Sequence, residues 1–223
     1  MILDLIKKGS IISIPNFLNN YEELDSKKEK YECEAVYQPG GLEYGNRFQA
    51  HPCYETPFFE VCDESMNNSI KEQIETLVGK KIIDFDSRLR LSLSSELEKS
   101  HAFINKDFGF VHQDDKQFAG VLSFDQSFTA GTSFFEYPTD KIPDITYGAW
   151  PNRLILYNGF RSHAACHDFT YERRYALLLF FNVDGYFVRW KNERTRRRRL
   201  DFRWWMMYNI QIKLNEIAWA KES

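Results

Sequence analysis

Seven consecutive residues, Tyr175 to Phe181, are all apolar. Side chains of an extended chain alternate between two faces, so such a segment has no polar side to offer water. It must lie in the interior of a sheet and be covered on both faces. At seven residues it is far shorter than the ~18 apolar residues that suggest a membrane-spanning helix.

Other short strand signals precede it. Arg88-Leu89-Arg90-Leu91-Ser92-Leu93-Ser94 alternates polar and apolar, the pattern of a half-buried strand. Ala102–Asn105, Phe108–His112, Phe118–Phe124, Thr132–Tyr137, Arg153–Tyr157 and Arg174–Val183 follow, separated by turn residues. Before them the pattern is different. Met66, Ile70, Ile74, Leu77 and Val78 repeat at helical spacing, with Gly79 placed to cap the helix. Met1–Lys8 suits a helical turn, Ile11–Ile14 a strand ended by Pro15-Asn16, and Tyr21–Tyr31 a charged helix, while Gln38-Pro39-Gly40-Gly41 reads as a loop. Many short strands supported by a few helices predict an α+β chain built on a sandwich or barrel. An aromatic content of 16% suits such a core.

Cys33, Cys53, Cys62 and Cys166 include no C-x-x-C pair and suggest buried apolar residues, not a disulfide framework. Asp4, Lys7 and Lys8 interrupt the N-terminal apolar residues, so no signal peptide is read there, and the expected location is the cytoplasm, with no membrane partner.

The chemistry concentrates at His112-Gln113-Asp114. Residues i and i+2 of an extended chain point the same way, so an imidazole and a carboxylate can converge there. With His163 they make up two histidines and one carboxylate, the facial set that holds non-haem Fe(II) and leaves coordination positions open. Taken alone, H-x-D equally describes a hydrogen-bonded histidine at a strand end. Arg174, eleven residues past His163, opens the apolar strand; a buried guanidinium there requires an anionic partner, and its planar fork suits a carboxylate.

His112-x-Asp114, His163 and Arg174, in that order and spacing, resemble the 2-oxoglutarate/Fe(II)-dependent dioxygenases, prolyl-hydroxylase-like members and a phage and bacterial group in particular. Ile12–Leu18, Gly131–Phe135, Asn152–Asn158 with Ser162-His163-Ala164, and Arg174-Tyr175-Ala176 extend the likeness over residues 11–183. The resemblance implies a double-stranded β-helix, a jelly roll or cupin-like core with supporting helices. It implies Fe(II) on His112, Asp114 and His163, and 2-oxoglutarate as cosubstrate with its distal carboxylate on Arg174. The reaction implied is hydroxylation of an amino-acid-like, peptidyl or small-molecule substrate, and Arg161 lies where substrate contacts fall. His167 competes with His163 as the distal ligand, and Arg173 with Arg174 for the inward position. The hydroxyl often found two residues after the arginine is replaced by Ala176. Residues 1–187 form the expected oxygenase domain. The rival reading is a non-enzymatic cupin-like binding protein whose basic tail binds nucleic acid or a partner.

Residues 188–223 read as a basic linker and a C-terminal amphipathic helix. From position 189 onward there are ten Lys/Arg and four Asp/Glu, against 19 and 28 in the rest of the chain. Five of the six residues Arg194–Arg199 are arginine, which leaves nucleic acid open as a partner but disfavoured. Trp204, Met207, Leu214 and Ala218 share a helical face that would pack on the sheet or form a homodimer contact.

Overall fold

The computed structural model describes residues 2–36, 53–97, 111–114, 116–137, 140, 142–166 and 170–185. The expectations for Gln38–Gly41, His167, the strand Ala102–Asn105, residues 108–110 of the next expected strand and everything from position 186 onward lie outside them.

Three helices prepare the support. α1 (Ile2–Lys7) and α2 (Tyr21–Lys27) bury Leu3, Ile6 and Leu24. The third runs from Glu64 to Val78 and buries Met66, Ile70, Ile74 and Val78, the stripe read from the sequence. Its first turn is capped by Asp63, whose side chain accepts from the Met66 amide. Its end is set by Gly79, in the left-handed region at φ 66°, whose amide returns to the Glu75 carbonyl. Two four-residue turns, Phe59–Cys62 and Ser94–Leu97, complete the helices. Among the described residues the helices in chain order are therefore α1, α2, α3 (Phe59–Cys62), α4 (Glu64–Val78) and α5 (Ser94–Leu97).

The strands are β1 (Ile12–Ile14), β2 (Glu34–Val36), β3 (Cys53–Glu55), β4 (Ile82–Leu93), β5 (Phe118–Ser123), β6 (Ser127–Phe135), β7 (Ile145–Ala149), β8 (Arg153–Asn158), β9 (Ser162–Cys166) and β10 (Arg173–Val183). They form an antiparallel seven-stranded sheet, β1-β8-β5-β10-β4-β3-β2, and a three-stranded sheet, β7-β6-β9. β10, carrying the wholly apolar run, lies between β4 and β5, as a strand with no polar face must. Leu177 pairs with Leu89 on one side and Leu122 on the other, and all three are fully buried. α4 backs β4: Asn67 Oδ1 accepts from Ser87 Oγ at 2.7 Å and Glu75 Oε1 from the Ile82 amide at 2.8 Å.

The sheets face one another through Phe134 of the small sheet, which packs with Ala119, Ile155 and Tyr157 of the large one. The N-terminal turn is sewn on by Asn152, which accepts from the Leu18 amide and donates to its carbonyl. The α+β architecture is as the strand and helix patterns predict, and the two facing antiparallel sheets fit the double-stranded β-helix that the resemblance implies. Among the cysteines only Cys53 and Cys166 are buried; Cys62 is exposed on the short α3 and Cys33 is intermediate, which corrects the expectation that all four lie in the core.

Candidate metal centre

His112 stands just beyond β9 and is bound to it. Its amide donates to the His163 carbonyl and the His163 amide donates back to the His112 carbonyl, each at 2.9 Å. This reciprocal pair puts the two imidazoles side by side, with ring centroids 4.4 Å apart. Asp114 lies two residues on, its amide held by the Gly159 carbonyl at 2.8 Å, while Gln113 is fixed by a hydrogen bond from its Nε2 to Ser162 Oγ.

Asp114 Oδ1 is 3.8 Å from His112 Nε2, and Asp114 Oδ2 is 3.4 Å from His163 Nε2. One donor atom from each of the three residues falls within 4.8 Å of the others. Burial, reinforced by the charge of Arg90, pushes the His163 pKa down to about 4, so this imidazole is neutral at ordinary pH. Its Nδ1 lies 2.9 Å from the Arg161 carbonyl. In a neutral ring Nδ1 therefore carries the proton, and the Nε2 lone pair faces Asp114. Two imidazole nitrogens and a carboxylate oxygen, so oriented, fit a divalent transition metal.

The triad opens on a cavity between the sheets. Arg88, Arg90 and Ser92 of β4 line it, with Ala176, Leu178 and Phe180 of the adjacent β10 on the same wall. Arg174 lines it as well; it is 8% exposed, and its Nη1 donates to the Cys166 carbonyl at 2.6 Å. Arg173 points the other way, its side chain 53% exposed and 3.9 Å from Glu29. Tyr157 completes the wall beside His163, its phenol pushed well up by burial and so kept as a hydrogen-bond donor.

Arg161 contributes to the site through its carbonyl on His163. Its guanidinium reaches the Gly9 carbonyl at 3.2 Å and Asp144 at 3.4 Å, and is not among the described residues lining the cavity.

The sequence reading missed Glu55, Arg88 and Arg90. Glu55, 4% exposed on β3, sits beside Arg90 in register. Its Oε1 is 2.7 Å from Arg90 Nε and its Oε2 3.0 Å from Arg88 Nε. Alternation on β4 gave the right strand. Which face meets water depends on closure of the second sheet over it, and no local pattern carries that information.

No protein-family model matches the chain, and no curated protein matches it. Solved structures do. The epimerase SnoN from nogalamycin biosynthesis, non-haem and α-ketoglutarate-dependent, is 15% identical with a TM-score of 0.55, over 81% of this chain and 82% of SnoN. A prolyl hydroxylase from Trichoplax adhaerens, solved with a hypoxia inducible factor peptide fragment, is 13% identical with a TM-score of 0.55, over 81% and 87%. HygX from Streptomyces hygroscopicus, solved with nickel, 2-oxoglutarate and hygromycin B, is 9% identical with a TM-score of 0.52, over 82% and 87%. The chain therefore has the double-stranded β-helix fold of the 2-oxoglutarate-Fe(II) oxygenases.

Proposed function

We propose that this chain is a 2-oxoglutarate- and O₂-dependent non-haem Fe(II) oxygenase. The observation that carries this reading is the convergence of one donor atom each from His112, Asp114 and His163 within 4.8 Å, at the mouth of a cavity that also holds the buried guanidinium of Arg174. In this reading the two histidines and Asp114 hold the iron and Arg174 binds the distal carboxylate of 2-oxoglutarate. Iron with 2-oxoglutarate and O₂ supplies an oxidant able to take a hydrogen from an unactivated carbon, with succinate and CO₂ as coproducts. The protein's own residues do the rest. The Arg161 carbonyl fixes the His163 tautomer, and the Gly159 carbonyl anchors Asp114. Arg174 aligns the cosubstrate by a two-pronged ion pair in a site shielded from water. Tyr157 offers a phenolic donor on the same wall.

The substrate class is amino-acid-like, peptidyl or small-molecule, and hydroxylation is the outcome assigned. The domain proposed is residues 1–187, with 188–223 a basic linker and C-terminal helix that serves packing or assembly. Arg161 is assigned to the substrate side of the site, with its carbonyl already engaged by the metal ligand. No helix among the described residues is long and apolar enough to cross a membrane.

Metal content and cosubstrate turnover test the reading together. Prepared anaerobically, the protein should bind about one Fe(II) or Mn(II) per chain, and the Fe(II) form should release succinate and CO₂ from 2-oxoglutarate once O₂ is admitted. His112→Ala and Asp114→Ala should each abolish both. Undiminished metal in the two variants would refute the ligand assignment.

A further inference from the structure

The cavity carries more positive charge than a metal and a dicarboxylate need, and the excess is concentrated on β4. Among the described residues three guanidinium groups line it, those of Arg88, Arg90 and Arg174, and one acidic residue, Asp114. Glu55 lies beside β4, on β3, and is shared: Oε1 by Arg90 and Oε2 by Arg88. The next acidic residue on that face, Asp86, is 3.5 Å from Lys116 and is not among the lining residues. Among the described residues, the three arginines against the two carboxylates of Asp114 and Glu55 leave +1. A divalent metal raises this to +3 and a 2-oxoglutarate dianion returns it to +1. Uncompensated charge in a shielded cavity is costly, so the resting balance calls for one further anion.

Position identifies the arginine that would receive it. Across β10, Ser92 pairs with Arg174, Arg90 with Ala176 and Arg88 with Leu178, so the two β4 guanidiniums step away from the cosubstrate arginine along one wall. Exposure rises with the same step: the Arg90 side chain is 12% exposed and that of Arg88 28%. Arg90 is held at two nitrogens by Glu55. Arg88 is ion-paired to Glu55 through Nε at 3.0 Å without a hydrogen bond there, and its guanidinium lies over the rings of Phe58 and Phe180, 5.0 and 5.6 Å from their centroids. No ion pair or hydrogen bond to its two Nη atoms is present among the described residues. The result is a planar guanidinium that lines the cavity, stacked on two aromatic rings and 28% exposed, whose terminal edge is unspent among the described residues.

On the oxygenase reading, we propose that Arg88 is the specificity residue for the primary substrate, and that this substrate is a small molecule bearing a monoanionic carboxylate. Two parallel N–H···O bonds from the Nη edge would hold that carboxylate, and the aromatic rings would hold the arginine. A neutral peptide or carboxamide leaves the +1 uncompensated, and a phosphate dianion overshoots it.

Matched pairs test this without turnover. The probes are N-acetylated amino acids against their carboxamides, with a set of phosphate monoesters. Binding is read by thermal shift and calorimetry on the full chain loaded with Mn(II) and the inert cosubstrate analogue N-oxalylglycine. Acids should bind at least ten-fold more tightly than their amides. Arg88→Gln should remove that preference, lowering acid affinity roughly 10–100-fold while leaving Mn(II) and N-oxalylglycine binding unchanged. Arg88→Lys, which keeps the charge but loses the fork, should recover part of it. Four results would overturn the proposal alone: no acid bound by the wild type, equal binding of acid and amide, preference for phosphates, or an unchanged preference in a folded Arg88→Gln. A wild-type chain that binds neither Mn(II) nor N-oxalylglycine overturns the oxygenase reading, and this inference with it.

Discussion

Arg173 and Arg174 are adjacent in sequence and opposite in fate. One faces solvent near Glu29, the other is buried beside the Cys166 carbonyl. Truncating the buried one removes a charge-assisted pair from a shielded site. Arg174→Ala should therefore weaken 2-oxoglutarate by about 2–4 kcal/mol, or ~30–1000-fold, with metal affinity nearly intact. Arg173→Ala should change cosubstrate affinity less than about three-fold, since an exposed pair at that distance contributes little. Calorimetric titration of both variants with 2-oxoglutarate checks this, and a reversed order would mean that Arg173 is the cosubstrate arginine. The residues readable from sequence were those with a rule attached: i and i+2 for His112 and Asp114, and a charge opening an apolar strand for Arg174. Glu55 had no such rule. A lone acid in a three-residue strand is normally exposed, and here it is buried because β4 sets two arginines against it.

At the scale of elements, the turn after β8 governs Asp114 as much as the strand before it does. A Cβ on Gly159 would lie 2.2 Å from the Lys116 carbonyl oxygen and 3.5 Å from Asp114 Cβ. Backbone cannot yield cheaply, so Gly159→Ala should move the segment that carries Asp114. The expected result is a loss of about 1–3 kcal/mol in stability and of roughly ten-fold or more in Mn(II) affinity, with His112 and His163 unchanged. Chemical denaturation and Mn(II) titration measure the two effects. Strong patterns made α4, β5, β8 and β10 legible, and their bounds differ from expectation by a residue or two. β7 and β9 were not read as strands. β9 is Ser-His-Ala-Ala-Cys, without a branched or aromatic residue, and is a strand because β6 pairs with it from Gly131 to Phe135. β7 contains Gly148, where a Cβ would lie 2.7 Å from the Ser127 carbonyl oxygen; the tight approach needs that glycine, and local propensity argues against it.

For the whole molecule, stability concentrates where the large sheet is widest. Leu177 has a fully buried leucine on each side, so Leu177→Ala opens a cavity that rigid neighbours cannot fill. It should cost about 2–5 kcal/mol, read as a lower urea midpoint with unchanged slope. Strand pairings such as β1 with β8 join distant parts of the chain, so folding is expected in milliseconds to seconds, measurable by stopped flow. The reciprocal amide bonds between His112 and His163 have a consequence of this kind. They close a loop between residues 51 positions apart, and among the described residues they are the strand-type pairing that joins His112 to the small sheet. A metal held by the same two side chains ties that loop a second time, as a removable staple. At a hundred times its dissociation constant it would stabilise the folded chain by about 2.7 kcal/mol. The amide protons of His112 and His163 should then exchange with deuterated water more slowly in loaded protein than after chelation, so that two backbone positions record whether the site is filled.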